Sequence, residues 1–322
     1  MIDQETLFKI IKRRFENPAD FQQALHEILG VQESNLHKRF NGSTPLRYYE
    51  LQKLVKIFSI SRHELFRDPD DDVGFKYIRL DYPSVENYLR YIQGLAGMLE
   101  KAAAIPESKI YFVADDVPIF HYMRFPELTA FKLYSYAYDM KIISMSFEAY
   151  LDIFMEQNLL SVFQRIDQAY NQIQSVEIWD DQVLEMLLFS VGGKYDLNCF
   201  DHSETVEMLL GQLKELLYGF RGLVERGEKD PDVKFEFFKN ESLNRLPYMM
   251  LDNGTGSSLT LKLQIINSMG TTQPEFVEEG AKWFDATVNK SLALSMGAER
   301  QRNLYFQLLH DQIAAVETHT AI

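Results

Sequence analysis

Residues 31–44 read VQESNLHKRFNGST, a polar segment with Leu36 and Phe40 set into it. Four residues apart, those two share one face of a helix. Ser34, Asn35, Lys38 and Arg39 then point away from that face, and Asn41-Gly42 supplies a residue suited to the left-handed backbone that ends a helix. Two readings of the polar face are open: it reads a nucleic acid, or it is a solvated surface.

The flanking residues build helices around this segment. Thr6 is placed to cap a helix over Leu7 to Phe15, apolar at 7, 8, 10, 11 and 15. Asn17-Pro18 breaks it, and Pro18 suits the start of a second helix, Ala19 to Leu29, closed by Gly30. Downstream, Leu51, Leu54, Val55 and Phe58 recur at helical spacing within Leu46 to Phe58, and Ser61 caps a last turn, HELF. Five short helices joined by tight turns predict a compact all-α head over residues 1–66. A helix-turn-helix needs one helix across the backbone, a tight turn and a second helix in the major groove. FQQALHEILG-VQ-ESNLHKRFNG has that form, with Gly30 at the turn. A plain helical hairpin shares the same turn and periodicity, so spacing leaves both readings standing.

Charge divides unevenly along the chain. The net charge of −14 opposes binding to a polyanion. Residues 1–66, however, hold ten Lys/Arg against eight Asp/Glu, and the other 256 hold 23 against 39. A mildly basic head on an acidic body suits a DNA-reading module joined to something else. There is no run of eighteen apolar residues, and the charged N-terminus lacks the apolar stretch of a signal peptide. The expectation is a soluble, cytoplasmic protein with no membrane partner. Cys199 is the single cysteine, which excludes a disulfide framework and a multi-cysteine zinc site.

After the head, residues 67–74 (RDPDDDVG) read as an acidic linker. A calcium loop would need glycine at its sixth position and a bidentate Glu where Arg79 stands. Residues 75–322 predict a larger α+β domain. Helical patterns run over Ser84 to Ala104, 127–140, 146–174, 180–191 and 203–227, with a strand at Lys109 to Ala114. From about 233 the texture changes to strands: KFEFFKN, PYMMLD, then a turn and the alternating SSLTLKLQII. Helices at 273–294 and 298–317 finish the chain, and GEKDPD near 230 is a candidate sub-boundary.

The run Gly30 to Phe66 resembles the phage-repressor-like (XRE-type, lambda-repressor-like) helix-turn-helix. The resemblance rests on Gly30-Val31, Asn41-Gly42, Pro45, Leu51, Leu54, Lys56, Phe58, Ile60 and Leu65-Phe66 and covers roughly residues 5–66, about a fifth of the chain. Two positions depart from the pattern: His26 stands for a small alanine, and Arg39 for a hydrophobic residue. SNLHKRF is also similar to the recognition helix of the arabinose-regulator (AraC) class, although LQKLVKIFSISRHELF downstream favours the repressor-like class. The resemblance implies a double-stranded DNA partner. It sets Glu33, Ser34 and Lys38 toward bases with Asn35 close by, Lys donating to guanine and Glu accepting from cytosine. It gives Gln22, Arg39, Asn41, Ser43 and Arg47 to phosphates. So weakly basic a head implies few phosphate contacts, hence a homodimer with half-sites roughly 34 Å apart.

The body offers weaker patterns, each with a bland counterpart. Gly254-Thr255-Gly256-Ser257-Ser258 lacks the spacing of a phosphate loop and leads into a strand, so a hairpin turn is the better reading. Asp115, Asp116 and His121 follow a strand and form a candidate metal set. Cys199 beside His202 suggests a thiol–imidazole pair, against a buried structural cysteine. Aromatics at 120–125 and 131–140 line either a ligand pocket or the core. Leu304, Phe306, Leu308 and Ile313 on the last helix are candidates for a dimer face or for core. No catalytic residue, metal site or cofactor is assigned. The expected protein is a transcriptional regulator with a dimerising body, and 256 residues leave room for sensing a small-molecule or peptide effector. The alternatives are an enzyme, or an interaction adaptor with a degenerate head.

Overall fold

A computed structural model describes the chain except for residues 1–3, 13, 14, 16, 32, 59, 61–72, 79, 81–84, 241–246, 255, 264–266 and 322. The chain divides into two compact units, Met1–Gly74 and Phe75–Ile322. The HELF turn and most of the acidic linker lie outside the described residues.

Among the described residues of the first unit the apolar spacing becomes four helices: α1 (Gln4–Lys12), α2 (Pro18–Leu29), α3 (Glu33–Phe40) and α4 (Tyr48–Ile57). Asn17 caps α2, its side chain accepting the Ala19 amide at 3.0 Å, with Pro18 in the first turn. Gly30 ends α2 at φ +62°, a backbone conformation that a side chain would strain. Leu7, Ile11, Leu25, Leu29, Leu36 and Leu54 are buried together. The Phe40 ring joins them, edge-on to Phe8 at 4.6 Å and stacked on Phe21 at 5.3 Å.

The second unit is mixed α/β, as the pattern predicted. Its elements in chain order are β1 (Lys76–Ile78), α5 (Val85–Ala103), β2 (Lys109–Ala114), α6 (Ile119–Tyr122), α7 (Pro126–Asp139), α8 (Phe147–Met155), α9 (Leu159–Asn171) and β3 (Gln174–Trp179). Then come α10 (Glu185–Asp196), α11 (Ser203–Arg226), β4 (Phe235–Lys239), β5 (Tyr248–Asp252), β6 (Ser257–Lys262), β7 (Ser268–Thr271), α12 (Pro274–Val288), β8 (Leu292–Ala293) and α13 (Glu299–Thr320). The strands form one sheet in the order β1-β7-β6-β5-β2-β3-β4-β8. β2, β3 and β4 run parallel in register, Lys109 opposite Gln174 and Ser175 opposite Phe235, whereas β5 pairs antiparallel with β2. The sheet runs through the candidate sub-boundary near 230, since β3 before it pairs with β4 after it.

Alternation along the strands divides two cores. Ile110, Ala114, Trp179, Phe235, Phe237 and Leu251 pack with the large helical layer. Val113, Val176, Ile178, Met250, Leu259 and Leu261 face the other way, with Val277 and Phe284 of α12. Gly280 lets α12 come close there: a Cβ on it would lie 2.1 Å from Leu259 Cδ1. Several helices differ from the expected pattern: α1 starts at Gln4, so Thr6 lies within it and not at its cap, and the helix expected over 180–191 is α10, Glu185–Asp196. The span 146–174 breaks around Gln157 into α8 and α9, and the helix expected over 273–294 ends at Val288.

Candidate functional site

α3 presents two chemically distinct sides. Leu36 and Phe40 anchor it to the head's core, while Asn35 and Lys38 are exposed. Gln22, Asn41, Ser43 and Arg47 are exposed as well. The side chains of Glu33 and Ser34 lie outside the described residues. The loop after α3 is held firmly: the Thr44 amide donates to the Lys38 carbonyl at 2.9 Å, and Asn41 Oδ1 accepts the Ser43 amide at 3.0 Å. Gln4 of α1 ties the same loop down, its Nε2 donating to the Thr44 carbonyl at 2.9 Å and its Oε1 accepting the Leu46 amide at 2.8 Å.

Arg39 is placed differently from the other phosphate candidates. It is only 7% exposed and its Nη2 lies 2.6 Å from Oε1 of Glu50, which is 1% exposed. Glu50 Oε2 also accepts the Arg47 amide at 2.8 Å, closing the first turn of α4. Burial pushes the Glu50 carboxyl up, but the bond and charge of Arg39 and the Arg47 amide outweigh it and hold it below its ordinary value. The guanidinium is therefore engaged inside the head by Glu50, unlike the exposed Gln22, Asn41, Ser43 and Arg47. The physical reason is positional: Arg39 is three residues after Leu36, on the inward face of α3.

In the body, the structure separates the groups that sequence proximity suggested as a set. His121 turns into the core, with Nε2 3.0 and 3.1 Å from the two Glu177 oxygens. Asp116 instead accepts from Lys132 Nζ at 2.5 Å and from the Tyr122 hydroxyl at 3.2 Å, and Asp115 from Lys262 Nζ at 2.7 Å. Among the described residues no cluster of three or more His, Cys, Asp or Glu is arranged to hold a metal ion. Cys199 is buried, its thiol 3.9 Å from the Leu197 carbonyl, while the His202 amide donates to Glu148. Gly254 and Gly256 lie in the β5–β6 hairpin, whose closing bond runs from the Asn253 amide to the Gly256 carbonyl at 3.1 Å.

Glu177 is a buried charge that sequence reasoning missed. It accepts from Trp179 Nε1 at 2.8 Å and from the Tyr170 hydroxyl, and it faces His121. Lys229 Nζ donates to the Tyr170 and Ile173 carbonyls, both at 2.9 Å, and lies over the Tyr170 ring. Burial raises the Glu177 carboxyl, yet its bonds to His121 and Tyr170 and the charge of Lys229 bring it below its ordinary value. A glutamate inside the apolar run SVEIW was the available signal. For Lys132 and Lys262 there was none, because they lie 16 and 147 residues from their partners.

No family model, curated protein or solved structure matches the chain. Among the described residues no helix is long and apolar enough to cross a membrane.

Proposed function

We propose that the chain is a sequence-specific DNA-binding transcriptional regulator whose α3 lies in the major groove and whose body dimerises and receives an effector. One observation carries this reading: α2 and α3, joined through the left-handed Gly30, share a core that leaves Asn35 and Lys38 facing outward with Gln22, Asn41, Ser43 and Arg47 exposed. Lys38 donates to guanine, Asn35 reads alongside it, and Glu33 and Ser34 contribute from the first turn of the helix. Gln22, Asn41, Ser43 and Arg47 hold phosphates and set register. Arg39 is left out of this surface because Glu50 holds it.

A single head with so few cations binds weakly at physiological salt. Two heads on half-sites about one helical turn apart supply the missing affinity, and an effector shifts the population between arrangements of the heads. The test is selection of the full chain on a random duplex library at 50 mM salt, followed by sequencing of what is retained. The expected result is a two-fold-symmetric motif. Retention without any motif, or none at all, overturns the reading.

A further inference from the structure

A cavity of about 160 Å³ opens at the carboxyl end of β2, between the sheet and the helices α5, α6 and α7. Its place in the topology is informative. β2 has a parallel neighbour, β3, on one side and an antiparallel one, β5, on the other, and the chain leaves β2 directly into Asp115-Asp116. Ligands of open α/β sheets gather outside carboxyl strand ends, where the connections diverge. The walls are aromatic and aliphatic, with Tyr88, Tyr91, Phe112, Phe120, Leu133 and Met249 contributing. An apolar cavity of about 150 Å³ takes up benzene, so this one has room for a single ring with a small substituent.

Its polar end is built from four charges. Lys132 Nζ contacts Asp116 at 2.5 Å, and Lys262 Nζ contacts Asp115 at 2.7 Å and Asp116 at 3.9 Å. Two acids and two bases cancel, so a ligand carrying net charge would be left uncompensated against apolar walls. An ammonium has three donors. Asp116 takes one from Lys132 and the Tyr122 ring, 4.0 Å away, faces another, leaving one without an acceptor among the described contacts. Beside it, the carboxylates can accept. The complementary group is neutral and both accepts and donates.

We infer that this cavity binds a neutral single-ring aromatic molecule bearing a hydroxyl or carboxamide, the ring among the aromatic walls and the substituent against the ion-paired Lys132, Asp116 and Asp115. As a ligand site the inference stands on the cavity itself; as the effector site it rests on the regulator reading above.

Calorimetric titration of the full chain with phenol, benzamide, benzoate, benzylamine and cyclohexanol tests it without DNA. Phenol or benzamide should bind at least tenfold more tightly than the charged pair and than cyclohexanol. Thr260→Phe, which places a ring into the cavity from β6, should abolish that binding with the thermal transition retained. Lys132→Met should weaken it tenfold or more, and if that variant does not fold, Thr260→Phe alone carries the test. Equal binding of all five probes, no binding of phenol or benzamide, or full binding by Thr260→Phe overturns the site. Titrating the full chain with the selected duplex, with and without the bound probe, separates the two readings: unchanged DNA affinity beside intact probe binding removes the effector role and leaves the ligand site.

Discussion

Arg39 shows how one position can look functional from outside and be structural within. Its charge lies inward against Glu50, and breaking such a pair strands a charge rather than simply losing a contact. Arg39→Ala should therefore destabilise the head by ~3 kcal/mol, measured by urea unfolding of the full chain. Arg39→Met with Glu50→Leu should recover more than half of that, less the capping bond to Arg47. The double variant should also keep the salt dependence of DNA binding, whereas Arg47→Ala should reduce the slope by roughly one phosphate's worth, about 0.9. A reduced slope in the double variant would return Arg39 to the phosphate set. Glu177 poses the same problem in the body. Its folded pKa is below its ordinary value of 4.5, so the unfolded chain takes up the proton first. The stability this group contributes is complete above about 4.5 and is lost as pH falls through the lower, folded value. Glu177→Gln should flatten the acid limb of the stability–pH curve of the full chain, and an unaltered limb would mean that Glu177 is not charged in the folded state.

At the scale of elements, legibility follows from how local the interactions are. The head's helices bury residues three and four apart, such as Leu7 with Ile11 and Leu25 with Leu29, so the pattern and the structure carry the same information. β3 lies at the other extreme. Two residues separate it from the end of α9, it is covered on both faces, and its partners start 65 residues earlier and 61 residues later, so neither alternation nor a turn residue announces it. The β5–β6 hairpin was legible because its turn chemistry, Asn253-Gly254, is local. The contact between α12 and the sheet was not: Gly280 matters only because Leu259 comes from a distant strand. Gly280→Ala should cost about 1–3 kcal/mol by overpacking, and adding Leu259→Ala should give a smaller combined loss than the two single losses added together. Strict additivity in thermal unfolding would mean the two residues do not meet. For α3 the expected result is functional: Lys38→Ala should lose affinity or base preference while the head's unfolding midpoint stays put, and intact binding with unchanged preference would remove Lys38 from the surface.

Considered as a whole, the sequence joins a small head with an almost balanced charge to an acidic body, and this proportion governs how a regulator built from it would work. The body repels a polyanion at long range, so affinity must come from paired short-range contacts and not from a diffuse basic field. On the last helix, Phe306 and Ile313 are core, whereas Leu304 and Leu308 are exposed one turn apart, which keeps two of the four residues available for the proposed contact between copies. Coupling between two heads makes a specific demand on DNA geometry. If the copies are joined, two half-sites on one duplex face should bind far more tightly than one, and inserting half a helical turn, about five base pairs, should abolish the gain by rotating the second site away. The full chain would be titrated against duplexes carrying one half-site, two half-sites ten base pairs apart and two fifteen apart, all at 150 mM salt. Linked binding raises the effective concentration of the second head by orders of magnitude, so a gain of at least a hundredfold for the ten-base-pair spacing is expected, falling to within a few fold of the single site at fifteen. Equal affinity for all three duplexes would leave each head acting alone, and the body would then need a purpose other than holding two heads in register.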